Sequence, residues 1–137
     1  MAVGAAIMVD QQLSPTTRRV RVLVVDDFES MLQALSACLE SVEGVEVVGT
    51  ALNGKEALEK VGVLKPDLVI ADLQMPVMDG FQLMRALRRE HPAILLVAVC
   101  GHASAAIEAE AKSAGADAFV AKSTMPDGLL TKVQAIL

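Results

Sequence analysis

Five short apolar runs, each followed by a stretch with helical character, constrain the fold of this chain more than any other feature. The runs are rich in Val, Leu, Ile and Ala. The predicted strands are Val20–Val25, Val45–Thr50, Asp67–Ala71, Ile94–Val99 and Ala116–Ala121. Unbroken apolar runs are typical of parallel strands that helices cover on both faces. Because parallel strands need long, right-handed crossovers, the sequence predicts a doubly wound (βα)₅ domain, an α/β/α sandwich.

The segments between these runs carry helix signals. Leu32, Leu35 and Leu39 recur at spacings of three and four residues, as on one face of an amphipathic helix. Asn53 and Glu56 have the spacing of a capping box at the start of the second helix. The remaining helices are predicted after Asp79–Gly80, over Ser104–Ala114 and from Pro126 to Leu137.

Length and composition limit the domain organisation and the partners. The 137 residues suffice for one domain, which we expect over residues 18–137, after a flexible extension of residues 1–17 that is polar towards its end. A net charge of −5 and an aromatic share of 2% argue against direct binding of nucleic acid. No apolar run approaches the ~20 residues that span a bilayer. Two cysteines without metal spacing suit reduced thiols, so we expect a cytoplasmic protein without membrane contact.

Three aspartates follow two of the predicted strands. Asp26 and Asp27 end the first strand, and Asp72 ends the third. Ligands of open parallel sheets lie beyond the carboxyl ends of the strands, so these carboxylates converge if the two strands are neighbours. Such crowding is unfavourable without a cation, and oxygen ligands favour Mg²⁺ over zinc. Lys122 directly follows the fifth strand, where its ammonium could pair with Asp72.

Three motifs, in this order, resemble the response-regulator receiver family of two-component phosphorelay signalling. They are Val-Val-Asp-Asp-Phe at 24–28, Asp-Leu-Gln-Met-Pro-Val-Met-Asp-Gly at 72–80, and Ala-Lys at 121–122. The resemblance covers residues 20–137. It implies a flavodoxin-like, five-stranded parallel sheet of order 2-1-3-4-5.

The resemblance also implies a role for each site residue. Asp72 would be the phosphoryl acceptor and would bind Mg²⁺ together with Asp27 and the backbone carbonyl of Gln74. Asp26 would hold a metal-bound water, and Lys122 would contact the phosphoryl group. The Gln74 side chain would approach the water that hydrolyses the acyl phosphate. The chain would then be a phosphoprotein that catalyses its own phosphorylation and dephosphorylation, and not an enzyme with a separate substrate.

The switch positions include a departure from the family pattern. Cys100 occupies the place of the usual Thr or Ser after the fourth strand, and Phe119 that of the aromatic residue on the fifth strand which moves inward. A thiol is a weaker hydrogen-bond donor than a hydroxyl. Cys100 is therefore either a tolerated small residue or a cause of weakened coupling to the helix 4–strand 5–helix 5 face. Lys-Ser at 122–123 replaces the usual Lys-Pro, as in receivers joined to helix-turn-helix domains.

The resemblance implies three kinds of partner: a sensor histidine kinase or phosphotransfer protein, a downstream output protein or domain, and a second copy bound through the helix 4–strand 5–helix 5 face. Two other functions stay open, namely a degenerate receiver that serves as an interaction module and the excised receiver of a DNA-binding transcriptional regulator. A haloacid-dehalogenase-like phosphatase is disfavoured because Phe28 stands where its second Asp is needed. A dinucleotide-binding protein would need a glycine-rich motif after the first strand.

Overall fold

Strands and helices alternate from Val20 to Ile136 in the computed structural model, which describes residues 19–137. The predicted extension, residues 1–17, lies outside that part. The strands are β1 (Val20–Val25), β2 (Val45–Ala51), β3 (Leu68–Asp72), β4 (Leu95–Cys100) and β5 (Ala118–Ala121). The helices are α1 (Glu29–Glu40), α2 (Gly54–Leu64), α3 (Gly80–Glu90), α4 (Ala105–Ala114) and α5 (Asp127–Ile136). A 3₁₀ turn over Lys122–Thr124 joins β5 to α5.

The five strands form one parallel sheet of order β2-β1-β3-β4-β5. This order confirms the predicted flavodoxin-like fold and makes β1 and β3 neighbours. The carboxyl ends of all five strands therefore meet at one edge, at which Asp26 and Asp72 lie. None of the helices in residues 19–137 is long and apolar enough to cross a bilayer.

Alternate residues of the central strands face opposite layers of helices. On one face, Leu23 and Val69 belong to the core that includes residues of α2, α3 and α4. On the other face, Val22 and Ile70 belong to the core that includes residues of α1 and α5. Strand β3 is buried along its whole length. These two aliphatic cores are the reason why the strands read as unbroken apolar runs.

Several predicted boundaries shift by one or two residues. Strands β3 and β4 each extend one residue further than expected, so Asp72 and Cys100 end their strands. At the start of α2, the Asn53 side chain accepts a hydrogen bond from Glu56 N at 2.9 Å. The Glu56 carboxylate does not return to Asn53, as a capping box requires, because it accepts from Leu52 N at 2.7 Å.

At the opposite edge of the sheet, the Arg88 guanidinium joins two loop segments. It donates to the carbonyl oxygens of Pro92 at 2.8 Å, Ile94 at 3.0 Å and Gly115 at 2.6 Å. It also donates to the Asp117 carboxylate at 2.9 Å. One half-buried side chain of α3 thus holds together the segments that lead into β4 and β5.

We expect Arg88→Ala to lower the free energy of unfolding by about 1–2 kcal/mol, because three carbonyls lose the Arg88 donor and Asp117 loses its ion pair. Urea unfolding with an unchanged slope measures the loss. Arg85→Ala is the matched control, since this exposed side chain of the same helix makes no hydrogen bond or ion pair within residues 19–137. Equal losses in both variants would contradict the role of Arg88.

Candidate functional site

Three carboxylates meet where β1 and β3 end. Strand pairing sets Val25 beside Ala71, so the residues that follow, Asp26 and Asp72, are brought together. One carboxylate oxygen from each of Asp26, Asp27 and Asp72 lies within 4.8 Å of the others. Asp26 is 1% exposed and Asp72 is 4% exposed. The structure therefore brings together the acidic residues that the sequence singled out.

Two of these carboxylates are held by the backbone of the loops that follow them. Asp26 Oδ1 accepts a hydrogen bond from Phe28 N at 2.9 Å. Asp72 Oδ1 accepts one from Gln74 N at 3.1 Å. Each carboxylate thus bonds to the backbone two residues further on, the pattern of an Asx turn. These contacts fix one oxygen of each group and leave the other available to the site.

Lys122 supplies the positive charge of the cluster. Its Nζ lies 3.0 Å from Asp72 Oδ2 and 3.2 Å from Asp26 Oδ2. Burial lowers the pKa of Lys122, but the hydrogen bond and charge of Asp72, with those of Asp26, outweigh burial and raise the pKa above its ordinary value. The ammonium is therefore charged throughout the physiological pH range.

Asp27 carries the charge that Lys122 does not balance. Its Oδ1 is buried and has no hydrogen-bond partner within residues 19–137. A buried, unpartnered carboxylate oxygen is costly. A hard divalent cation prefers a set of oxygen ligands of this kind. The donor set thus fits such a cation, which would give Asp27 Oδ1 the partner that residues 19–137 do not supply.

The loop between β3 and α3 is packed tightly against the end of β3. A Cβ atom on Gly80 would lie 2.4 Å from the carbonyl oxygen of Asp72, so only glycine fits there. Within the loop, Met78 N donates to Pro76 O at 2.8 Å, and Val77 between them has a φ of 71°. This is the rare γ-turn with positive φ. A β-branched residue is strained in it.

The other predicted site residues lie at different depths. Cys100 is 1% exposed and Phe119 is 8% exposed, and both belong to the core that includes residues of α4. Cys100 follows Val99, which is the register partner of Asp72 on β4. Gln74 is exposed. The structure thus places Cys100 one residue beyond the register partner of Asp72, and it places Phe119 in the core.

Sequence reasoning missed three exposed apolar side chains near this edge. Phe28 is 64% exposed, Leu52 is 45% exposed and Val77 is 76% exposed. They lie in the loops after β1, β2 and β3, which are neighbouring strands. Each stands alone in a loop, so no periodic pattern marks it. Only the strand order shows that the three loops leave the same end of the sheet.

Residues 22–134 match the family model of the response regulator receiver domain. The chain belongs to this family. Among curated relatives, a protein-glutamate methylesterase/protein-glutamine glutaminase of Geobacillus kaustophilus is 40% identical over 113 residues, which are 82% of this chain and 32% of that protein. The response regulator GacA of Pseudomonas viridiflava is 38% identical over 117 residues, 85% of this chain and 53% of GacA. The receiver domain therefore spans about a third to a half of these relatives.

Solved receiver structures are similar over nearly their whole length. The chemotaxis protein CheY4 of Vibrio cholerae has a TM-score of 0.79 and 34% identity, with 87% of this chain and 99% of CheY4 covered. The response regulator domain of CheB from Thermotoga maritima has a TM-score of 0.78 and 32% identity, with 86% of this chain and 96% of that domain covered. The chain is thus a receiver domain whose fold is similar to both of these structures.

The unpartnered Asp27 oxygen leads to a prediction about stability without metal. We expect Asp27→Asn to raise the free energy of unfolding by about 1 kcal/mol in EDTA at neutral pH, because it removes one of three crowded charges and adds a donor. Chemical unfolding measures the change. Glu59→Gln, which neutralises an exposed carboxylate on α2, should change stability by less than about 0.5 kcal/mol. A destabilised Asp27→Asn variant would contradict the repulsion.

The strained γ-turn leads to a second prediction. We expect Val77→Asn to raise the free energy of unfolding by about 1 kcal/mol, because Asn tolerates positive φ far better than a β-branched residue. Val63→Asn is the matched control, because Val63 on α2 is 79% exposed but helical, and the two residues have similar helix propensities. Thermal and urea unfolding compare the variants. A gain shared by both positions would show that the turn is not its source.

Proposed function

We propose that this receiver domain accepts a phosphoryl group on Asp72 in a Mg²⁺-dependent reaction and that the acyl phosphate changes its α4–β5–α5 face. The observation that carries the proposal is the buried Asp72 carboxylate, whose Oδ2 lies 3.0 Å from Lys122 Nζ beside two further carboxylates. Family membership supports the same role. The phosphodonor is proposed to be a sensor histidine kinase or a phosphotransfer protein.

In this reaction an Asp72 oxygen attacks phosphorus, the new O–P bond forms as the N–P bond of a donor phosphohistidine breaks, and the leaving imidazole takes up a proton. Phosphoryl transfer depends mainly on positioning and on charge neutralisation. Asp27, Asp72 and the backbone carbonyl of Gln74 are the proposed ligands of Mg²⁺, and Asp26 would hold a water bound to it. When bound, the ion would neutralise charge on the phosphoryl oxygens.

Lys122 has two tasks in the proposed cycle. Before transfer, its ammonium pairs with Asp72 and Asp26 and so moderates their repulsion. After transfer, it would bind a phosphoryl oxygen, since a group that pairs with Asp72 Oδ2 reaches the atoms attached to that carboxylate. The exposed Gln74 side chain would then orient the water that hydrolyses the acyl phosphate, so the domain would remove its own signal.

The output would pass from β4 to β5. Cys100 replaces the hydroxyl residue of the family, and we propose that this thiol weakens the coupling to Phe119 without abolishing it, because a thiol is a poor hydrogen-bond donor. The complete set of carboxylates and Lys122 favours an active receiver over a degenerate interaction module. A cytoplasmic location is part of the proposal, and the two free thiols favour it.

The proposal also includes an output partner, either a separate protein or a domain of a longer chain. The curated relatives are longer than this chain. Their length supports the second candidate, in which this chain is the excised receiver of a larger, DNA-binding transcriptional regulator. Direct contact of this chain with nucleic acid is not proposed, because its net charge is −5. A homodimer through α4–β5–α5 would serve as one form of the output.

We expect incubation with Mg²⁺ and acetyl phosphate to add one phosphoryl group, measured by intact mass. EDTA and Asp72→Asn should each prevent the addition, because one removes the cation and the other the nucleophile. Asp79→Asn is the matched control: it lies in the same loop and should be phosphorylated like the wild type. Amide NMR spectra of the same samples report whether Phe119 and its neighbours change on phosphorylation.

Two results would overturn the proposal. A wild-type chain that stays unmodified at high acetyl phosphate would show that the site is degenerate. Equal modification of wild type and Asp72→Asn would place the acceptor elsewhere. Phosphorylation without any shift at Phe119 would leave the acceptor role intact and refute the proposed route through β5.

A further inference from the structure

A groove of about 520 Å³ crosses the open edge of the sheet at β2, between α1 and α2. Asp26, Asp27, Asp72 and Lys122 are not among the residues that line this groove. Apolar side chains of Leu32, Ala51 and Leu52 contribute to its floor. Leu52 is 45% exposed, although leucine is among the residues most often buried. We call this region the α1–α2 groove.

The side of α1 that lines the groove is a regular polar stripe. Glu29, Gln33, Ser36 and Glu40 all line it. Their spacings of four, three and four residues place them on one helix face. Glu29 and Glu40 are acidic at the two ends, about 16 Å apart along the helix. Both are exposed and neither has an ion-pair partner within residues 19–137.

The positive charge on the α2 side of the groove is already paired. Lys60 lies 3.3 Å from Glu56 and donates to Thr50 O at 2.5 Å. The hydrogen bond from Leu52 N, with Lys60 beside it, lowers the pKa of Glu56, so this carboxylate is also charged. The lining therefore carries three carboxylates and one ammonium, and that ammonium is already paired. Its net charge is negative.

A hydroxyl in the middle of the stripe lacks a partner. Ser36 Oγ is buried and makes no hydrogen bond within residues 19–137. Helical serines commonly satisfy themselves by bonding to the carbonyl four residues earlier, and Ser36 does not. Ser36 itself lines the groove, so rotation of its side chain would expose this oxygen to a group placed between the two glutamates.

Two features of β2 disfavour the addition of another strand. Its pairing with β1 shifts register between Val22 and Leu23, which leaves Val48 without a partner. The Thr50 carbonyl is occupied by Lys60. Bulges and lysines are the usual means of blocking an edge strand. A partner would therefore bind the groove through side chains, in the manner of a helix in a groove.

We propose that the α1–α2 groove is a docking surface for a basic, amphipathic helix of a partner protein. Apolar side chains of that helix would cover Leu52, which is 45% exposed. Lys or Arg residues about three turns apart would pair with Glu29 and Glu40, and a polar side chain between them would bond to Ser36 Oγ. This surface is separate from the proposed phosphoryl site and does not require Asp72.

Titration of ¹⁵N-labelled protein with a synthetic helical peptide of leucine and lysine, patterned on one apolar and one basic face, tests the proposal. We expect amide shifts centred on Ser36, Glu40 and Leu52. The double variant Glu29→Gln/Glu40→Gln should bind the peptide roughly fivefold more weakly, since two exposed ion pairs are lost. The control Glu90→Gln/Glu110→Gln removes the same charge from α3 and α4 and should bind like the wild type.

Three outcomes would overturn the proposal. Shifts centred on Asp26, Asp27 and Asp72 would assign binding to the acidic cluster. Equal weakening in both double variants, or equal binding of a peptide with glutamate in place of lysine, would show that the groove does not select a basic helix. Sedimentation that reveals self-association, lost in Glu29→Gln/Glu40→Gln, would assign the groove to a second copy of this chain.

Discussion

Three carboxylates and one ammonium share a largely buried space at the carboxyl ends of the strands. Negative charge is therefore in excess there, and the rest of the site depends on this excess. Lys122 lies within ion-pair distance of Asp72 and Asp26. Asp27 keeps a buried oxygen without a donor. Repulsion among like charges at this separation is unfavourable unless opposite charge is added. Without a metal ion, this repulsion lowers the free energy of unfolding of the domain. A bound cation would offset the remaining negative charge.

The fold maintains this arrangement by close packing behind Asp72. Strand β3 is buried on both faces, so the end of the strand cannot move without disturbing two cores. Gly80 permits the backbone of the following helix to approach the Asp72 carbonyl, and Gly54 permits the same at Met78, where an added Cβ would lie 2.7 Å from a carbonyl oxygen. The strain at Val77 lies in the exposed part of the same loop. Asp72 thus ends a rigid strand, and the loop that follows it contains the strained residue Val77.

Much of this could be predicted from the sequence, because the decisive signals are local or follow from the strand order. Apolar runs marked the strands, and the rule that parallel strands end at one edge brought Asp26, Asp27 and Asp72 together. The family motifs supplied the strand order, which spacing alone does not contain. The departures have physical causes. Glu56 bonds to Leu52 N because β2 ends at Ala51, so the backbone N–H of Leu52 is free to donate to it. The exposed γ-turn depends on the contact between its loop and the start of α2, where Gly54 N donates to Met78 O.

The position of Cys100 bears on how a phosphoryl signal would leave the site. Its register partner on β5 is Ala121, the residue before Lys122. A thiol in the core offers little hydrogen bonding to a phosphoryl group. Lys122, in contrast, directly follows β5. Phe119 lies three residues before it, within that strand. Movement of the ammonium from Asp72 Oδ2 to a phosphoryl oxygen would act directly on the end of β5. The proposed switch therefore depends more on Lys122 than on Cys100.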